Sequence, residues 1–337
     1  MSSVGQGNIA LLGVDFPDSD LADSVRSRVA DVEKALRASV SSDYEFLDVA
    51  ARYLVDAGGK RFRPLVTVLA AHFGDVQAPA IVDAAVVVEL THLATLYHDD
   101  VMDEAGVRRG AESANARWTN TVAILTGDFL FARASDLLAD LGPEAVRIQA
   151  RTFERLVTGQ IRETIGPGPD DDHIEHYLAV LADKTGSLIA TAAQFGALFA
   201  GCTPAVVETL RRIGEIIGVA FQISDDILDV ASESSQSGKT PGTDLREGIP
   251  TLPVLYALRD TDPANDRLRE LVRGPIYDDA EHAEALNLLR ASAALRQARE
   301  TLDGYAVAAR EMLAELPDLP ARAGFSAVVE LVVARTG

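Results

Sequence analysis

The sequence predicts an all-α protein. Alanine, leucine and valine dominate it, while glycine and proline are modest in number and clustered. Apolar residues recur at helical spacing, and alternating strand patterns are scarce. The 337 residues, 47% hydrophobic and 24% charged, suffice for a sizeable core.

Taken in order, residues 1–20 carry Gly, Asp, Ser and Pro without sustained period, and a flexible N-terminal arm is expected. Helical patterning then fills 21–337, read as a single domain. Val25, Val29, Val32 and Leu36 share one face, as do Val82, Val86 and Leu90. Breaks are expected at Gly58-Gly59, Gly74, Gly106 to Gly110, Gly142-Pro143, Gly166 to Asp172, Gly201 to Pro204 and Ser232 to Pro250. No solenoid-type repeat is present, but one internal echo is: HDDVMD at 98–103 returns as SDDILD at 224–229, each after a long apolar run.

Composition excludes several classes. A formal net charge of −20 repels phosphate backbones, so nucleic acid is not an expected partner. The single cysteine, Cys202, allows no intrachain disulfide and suits a reducing cytoplasm. No basic stretch followed by an apolar run marks a secretory leader. The most apolar helices carry Glu89, His92 or Glu215, so no uninterrupted membrane span is expected.

The chemistry lies in the echo. Residues four apart on a helix share a face, so Asp99 and Asp103 point together, as do Asp225 and Asp229, with Asp100 and Asp226 close by. One such cluster could be a solvated helix end. Two, each ending an apolar helix, suit a hard divalent ion. Mg²⁺ takes oxygen ligands and bridges one or two carboxylates to substrate phosphates. General acid/base work by paired carboxylates fits less well, because it leaves most of the acids without a purpose.

Basic residues answer the acids. Arg108 and Arg109 follow the first cluster, GGKRFRP supplies Lys60, Arg61 and Arg63, and Lys184 and Lys239 stand beside glycines. Arginine forks match phosphate oxygens, and glycine lets backbone approach an anion. Any one alone could be a surface cation, and GGK lacks P-loop spacing. His92 lies about two turns before Asp99 on the same face, where it is either a satisfied core histidine or an anion ligand. Acids for Mg²⁺ and cations for phosphates imply a diphosphate substrate, with room for a second.

GGKRFRP, HDDVMDEAGVRRG, the GQ at 159–160, KT at 184–185, and FQISDDILD followed by GKTPGTDL together resemble the trans-polyprenyl diphosphate synthase family, over residues 25–335. The resemblance implies an all-α isoprenoid synthase fold, with long antiparallel helices around a central cavity, usually as a homodimer. It implies head-to-tail condensation of isopentenyl diphosphate onto an allylic diphosphate, with about three Mg²⁺ per active site. By motif match, Asp99, Asp100, Asp103, Asp225, Asp226 and Asp229 would serve the metal. Arg108, Lys184 and Lys239 would contact the allylic diphosphate, and Lys60, Arg63, His92 and Arg109 would bind isopentenyl diphosphate. Thr185 and Gln222 would line the reacting centre. One departure is Ile249, where members often carry lysine.

Product length is read on the helix of Asp99. Thr95, Thr91 and Val88 share its face at depths of roughly 6, 12 and 16 Å, with Ala94 beside them, and none is aromatic. Bulky aromatics there stop elongation early in the family. The expected product is therefore all-trans and of roughly thirty carbons or more, as for a quinone side chain; Thr91 and Thr95 could instead pack on a neighbouring helix. Ile124, Leu125 and Val157 are candidates for an opposing wall. Rival readings are a geranylgeranyl diphosphate synthase, a class I terpene cyclase, which would not need the second phosphate pocket, and a non-catalytic helical subunit. Membrane contact is expected to be weak and linked to product.

Overall fold

A computed structural model describes residues 13–232 and 241–335. Among these the only strands are a two-residue antiparallel pair, β1 (Val107–Arg108) and β2 (Ala111–Glu112). The helices are α1 (Ser19–Ser39), α2 (Glu45–Asp56), α3 (Phe62–Ala71), α4 (Ala80–Met102), α5 (Ala114–Arg117), α6 (Asn120–Leu141), α7 (Pro143–Ile165), α8 (His173–Leu181), α9 (Ser187–Phe199) and α10 (Pro204–Ala231). They continue as α11 (Thr243–Glu247), α12 (Leu252–Arg259), α13 (Asp266–Leu271), α14 (Asp279–Ala291), α15 (Ala293–Ala314) and α16 (Pro320–Ala334). A π-helical turn, Ala182–Gly186, joins α8 to α9.

Two compact units divide the chain, and their segments alternate along it. The first holds the chain up to Phe153, Leu188–Gly214 and Leu316–Ala327; the second holds Glu154–Ser187, Glu215–Glu315 and the chain from Val328 on.

In the first unit, Asp18 caps α1 by accepting from Leu21 N at 2.7 Å, and Val14 before it is already buried, so the arm is anchored from there. Residues 1–12 lie outside the description. α4 forms the spine. By length and composition it passes as a candidate membrane span, although Glu89 and His92 interrupt it, as expected from the sequence; most of it is buried within the fold. Tyr97 on α4 is fully buried, and its hydroxyl donates to Ala50 O at 2.6 Å and accepts from Leu54 N at 3.2 Å, which ties α2 to α4. α3 and α9 touch backbone to backbone at Gly196, where any Cβ would stand 2.0 Å from Thr67 O.

In the second unit, the apolar faces of α8, α10, α12, α14 and α15 supply the core, with Val180, Ile223, Ile227, Leu255, Leu289 and Leu302 buried. Asp172 caps α8 and Asp278 caps α14 through paired backbone N–H bonds.

Candidate active site

In the first unit the GGKRFRP turn presents its three cations differently. Arg61 is left-handed (φ 48), a strained conformation for a residue with a side chain. Its guanidinium turns inward, donating to Glu33 at 2.6 and 3.2 Å, to Glu89 at 3.1 Å and to Val55 O at 2.9 Å. Arg61 is therefore a strut, and Glu89, itself buried on α4, is committed to it. Lys60 is exposed. Arg63 opens α3, and its buried Nε finds no hydrogen-bond partner among the described residues. Loss of water pushes its pKa down to about 10, with Glu89 opposing and Arg109 adding to the shift.

His92 and Arg109 complete this group. Burial first, then the charges of Arg63 and Arg109, hold the His92 imidazole well below its ordinary pKa, so it is neutral near pH 7. Arg109, also left-handed (φ 54), donates to Leu54 O at 2.9 Å and to Gly58 O. A Cβ on Gly59 would stand 3.0 Å from its guanidinium, which is why this turn needs glycine. Desolvated cations that repel one another, with the nearby carboxylate already taken, make a site prepared for an anion.

The first acidic motif ends α4. Asp99 is half-buried and Asp103, at the C-cap, is 57% exposed. Asp100 is fully buried and accepts from Arg108 Nε at 2.5 Å, while its other oxygen has no partner among the described residues. Burial raises the Asp100 pKa and Arg108 opposes this. The β1–β2 turn brings Arg108 back onto the motif, with Asp103 4.0 Å from its guanidinium.

Below Asp99 a cavity of about 380 Å³ is lined by Thr91, His98, Gln149, Phe131, Phe153 and Leu138, among others. Thr91 accepts from Gln149 Nε2 at 2.8 Å. Phe131 and Phe153 meet edge to face at 4.6 Å between centroids. Thr91 thus reaches this cavity. Val88 and Ala94 are buried and Thr95 half-buried, none of them among its lining. Ile124 and Leu125 are 42% and 60% exposed and do not line this cavity, whereas Phe131 and Phe153 do. Val157 too is exposed, at 39%.

In the second unit α10 carries the second motif. Asp226 is buried, accepting from Tyr177 Oη at 2.5 Å and Gln222 Nε2 at 3.0 Å. Burial pushes its pKa up to about 7, against these two bonds. Asp225 accepts from Arg335 Nη2 at 2.6 Å, and that guanidinium lies over Phe221 at 4.9 Å. Asp229 accepts from Thr243 N at 3.2 Å and Asp244 N at 3.1 Å, holding the start of α11. Lys184, in the π-turn, pairs with Glu163. A cavity of about 270 Å³ is lined by Lys184, Thr185, Gln222, Asp226, Tyr177 and His176, with further apolar groups. Lys239 falls outside the described residues.

The donor set suits Mg²⁺. Both motifs offer hard carboxylate oxygens, and among the described residues no three acidic or histidine side chains close into a cage of their own. Tyr177 and Arg335 have no part in the sequence reading, and Glu89 enters it only as a break in an apolar helix. Tyr177 meets Asp226 across 49 residues and Arg335 meets Asp225 across 110, so no local spacing announces either.

Comparison with known proteins agrees with the motifs. A family model described as polyprenyl synthetase matches residues 44–289. The chain belongs to this family, and with it to the prenyltransferases that have the all-α isoprenoid synthase fold. A nonaprenyl diphosphate synthase of Mycobacterium tuberculosis is 55% identical over 326 residues, which are 96% of this chain and 97% of that protein. The crystal structure of a geranylgeranyl pyrophosphate synthase from Corynebacterium glutamicum, complexed with calcium and isoprenyl diphosphate, matches with TM-score 0.87 and 45% identity, covering 96% of this chain and 100% of that one. A decaprenyl diphosphate synthase from Rhodobacter capsulatus matches with TM-score 0.85 and 34% identity, covering 95% and 100%.

Proposed function

We propose that this protein condenses isopentenyl diphosphate head-to-tail with an allylic diphosphate, with Mg²⁺, to make a long-chain all-trans polyprenyl diphosphate. The observation that carries the reading is the desolvated group of Arg63, His92 and Arg109 beside a separate carboxylate motif. A cyclase acting on one diphosphate has no use for that second anion site.

Asp99 and Asp103, with Asp225 and Asp229, serve the allylic diphosphate through Mg²⁺, which when bound stabilises charge on the leaving diphosphate. Asp100 and Asp226 stand beside them as further candidate ligands; both are buried, Asp100 accepting from Arg108 and Asp226 from Gln222. Arg108, Lys184 and Lys239 bind the allylic diphosphate. Lys60, Arg63, His92 and Arg109 fix isopentenyl diphosphate, whose double bond attacks the allylic carbon as its C–O bond to diphosphate breaks; the adduct then loses a proton, for which the released diphosphate is a base. Apolar walls keep water from the cationic carbon. Thr185 and Gln222 line that centre, and residues 21–337 act as one catalytic domain.

The growing chain enters the cavity beneath Asp99 past Thr91; Thr95, Ala94 and Val88 do not line it, and none of these four positions carries an aromatic that would stop it. The relative from Mycobacterium tuberculosis, named for a nonaprenyl product, favours a long chain, and a quinone side chain is the role we read for it. A second reading, geranylgeranyl diphosphate, has the Phe131–Phe153 wall and the Corynebacterium relative in its favour. We read the protein as a cytoplasmic homodimer with weak, product-linked membrane contact; the exposed Ile124 and Leu125 of α6 support the dimer alone.

The test is a product assay with Mg²⁺, labelled isopentenyl diphosphate and farnesyl or geranylgeranyl diphosphate. The expected result is a ladder reaching roughly thirty carbons or more. A stop near twenty selects the second reading. Cyclic hydrocarbon from the allylic substrate alone overturns both.

A further inference from the structure

The π-helical turn Ala182–Gly186 lies within the second unit, and it carries both residues of the KT motif. Such turns are rare and strained relative to an α-helix, and they persist where surrounding contacts hold them. The contacts here are specific. Arg155 on α7 donates from Nε to Asp183 Oδ1 at 2.9 Å. Its Nη2 donates to Glu215 Oε1 on α10 at 2.5 Å and reaches Ala182 O at 3.4 Å. About two turns further along α7, Arg162 Nη1 donates to the second oxygen of Asp183 at 2.6 Å. Asp183 is therefore gripped through both carboxylate oxygens by two guanidinium groups.

The backbone of the turn is held too. Ser187 Oγ donates to Asp183 O at 2.6 Å. Gly159, the glycine of the GQ pair, faces the turn so closely that a Cβ there would stand 2.7 Å from Lys184 N and 3.0 Å from Asp183 Cβ. A Cβ on Gly186 would stand 3.2 Å from Glu215 O on the other side. The turn is thus pressed between α7 and α10 while Asp183 is pulled toward α7. Lys184, next along, pairs with Glu163 on the cavity side, a contact it can exchange for a phosphate oxygen.

We propose that Asp183, clamped by Arg155 and Arg162, is a positioning residue that fixes the π-turn and so aims Lys184 and Thr185 at the allylic diphosphate. A plain interhelical ion pair would stabilise the fold and no more. A clamp on a strained turn sets the geometry of the two residues after it, where a displacement of about 1 Å costs on the order of 100-fold in rate. The inference rests on the reading of Lys184 as an allylic diphosphate ligand.

The test is a double-mutant cycle of Asp183→Asn with Lys184→Ala, with the kinetics of each substrate followed separately. Asp183→Asn is expected to lower kcat/KM for the allylic substrate roughly 10- to 100-fold and to leave KM for isopentenyl diphosphate within about twofold. In the Lys184→Ala background the same change is expected to cost several-fold less than in the parent, because one of the two groups it aims is gone. Gly159→Ala, which pushes on the turn from outside, should follow the same pattern. Should Asp183→Asn fail to fold, Arg162→Gln releases one carboxylate oxygen from the protein surface and is read in the same way. Additive losses in the cycle, or equal losses on both substrates, overturn the proposal. Lys184→Ala without effect removes the reading of Lys184 itself, and the proposal with it, whereas condensation activity would stand.

Discussion

HDDVMD and SDDILD read as copies, yet the two motifs are held in opposite ways. In the first, the middle acid, Asp100, is buried against a guanidinium only eight residues away, brought back by the β1–β2 turn. In the second, Asp226 is buried against a phenol and an amide, both neutral, and its pKa rises to about 7. The first motif's outer acid, Asp103, stands in water, while Asp229 anchors the backbone of α11. Repeated sequence therefore does not mean repeated electrostatics. One copy solves the crowding of acids by importing a cation, the other by holding its central carboxyl close to neutrality.

The contrast can be broken at several points. The largest effect is expected at Asp99→Asn, which should lower kcat on the order of 100- to 1,000-fold, with KM for isopentenyl diphosphate little changed in steady-state assays. Next comes the comparison of the middle acids. Asp100→Asn leaves Arg108 without its buried counter-charge and should cost about 3 kcal/mol in urea unfolding, the low end because Arg108 keeps some water. Asp226→Asn keeps both hydrogen-bonding neighbours and removes a group already near neutral, so it should cost less than about 1 kcal/mol. Equal losses at the two positions would end the distinction drawn here.

Smaller is the expected effect of Arg335→Gln. The guanidinium occupies Asp225 Oδ1, so its removal should tighten Mn²⁺ binding, followed by electron paramagnetic resonance, about two- to fivefold; weaker binding would mean that Arg335 orients the carboxylate instead. The smallest is a pH effect in the first unit. His92 has its folded pKa depressed, so below the unfolded value of 6.5 the unfolded chain binds the extra proton. Stability is thus expected to fall as the pH drops from 7 to 5, and His92→Gln should flatten that slope in thermal melts. An unchanged slope would place His92 in water.

Much of this was legible in the sequence, for reasons that differ by residue. The helix breaks at Gly142-Pro143 and Gly201 to Pro204 were, because proline and glycine act locally; α7 begins at Pro143 and α10 at Pro204. The acids were, because i, i+4 spacing is itself geometry. The support around them was not. The π-turn carries no composition of its own: its existence depends on Gly159 and Arg155, more than twenty residues upstream in α7. The cavity wall was misassigned for a related reason. Ile124, Leu125, Phe131 and Phe153 are all apolar and all on helices, and only packing decides which of them turn inward.

Arg61 carries a consequence for how this chain can change. Its backbone, at φ 48, would suit glycine or asparagine better. Its side chain must be arginine, because nothing shorter spans from that turn to both Glu33 and Glu89. Relieving the backbone alone strands Glu89 as an uncompensated buried charge; replacing Glu89 alone strands the guanidinium. No single substitution at any of these positions leads downhill. Descendants of this sequence should keep all three residues or exchange them together, and an alignment of close relatives should show the three positions changing as a unit.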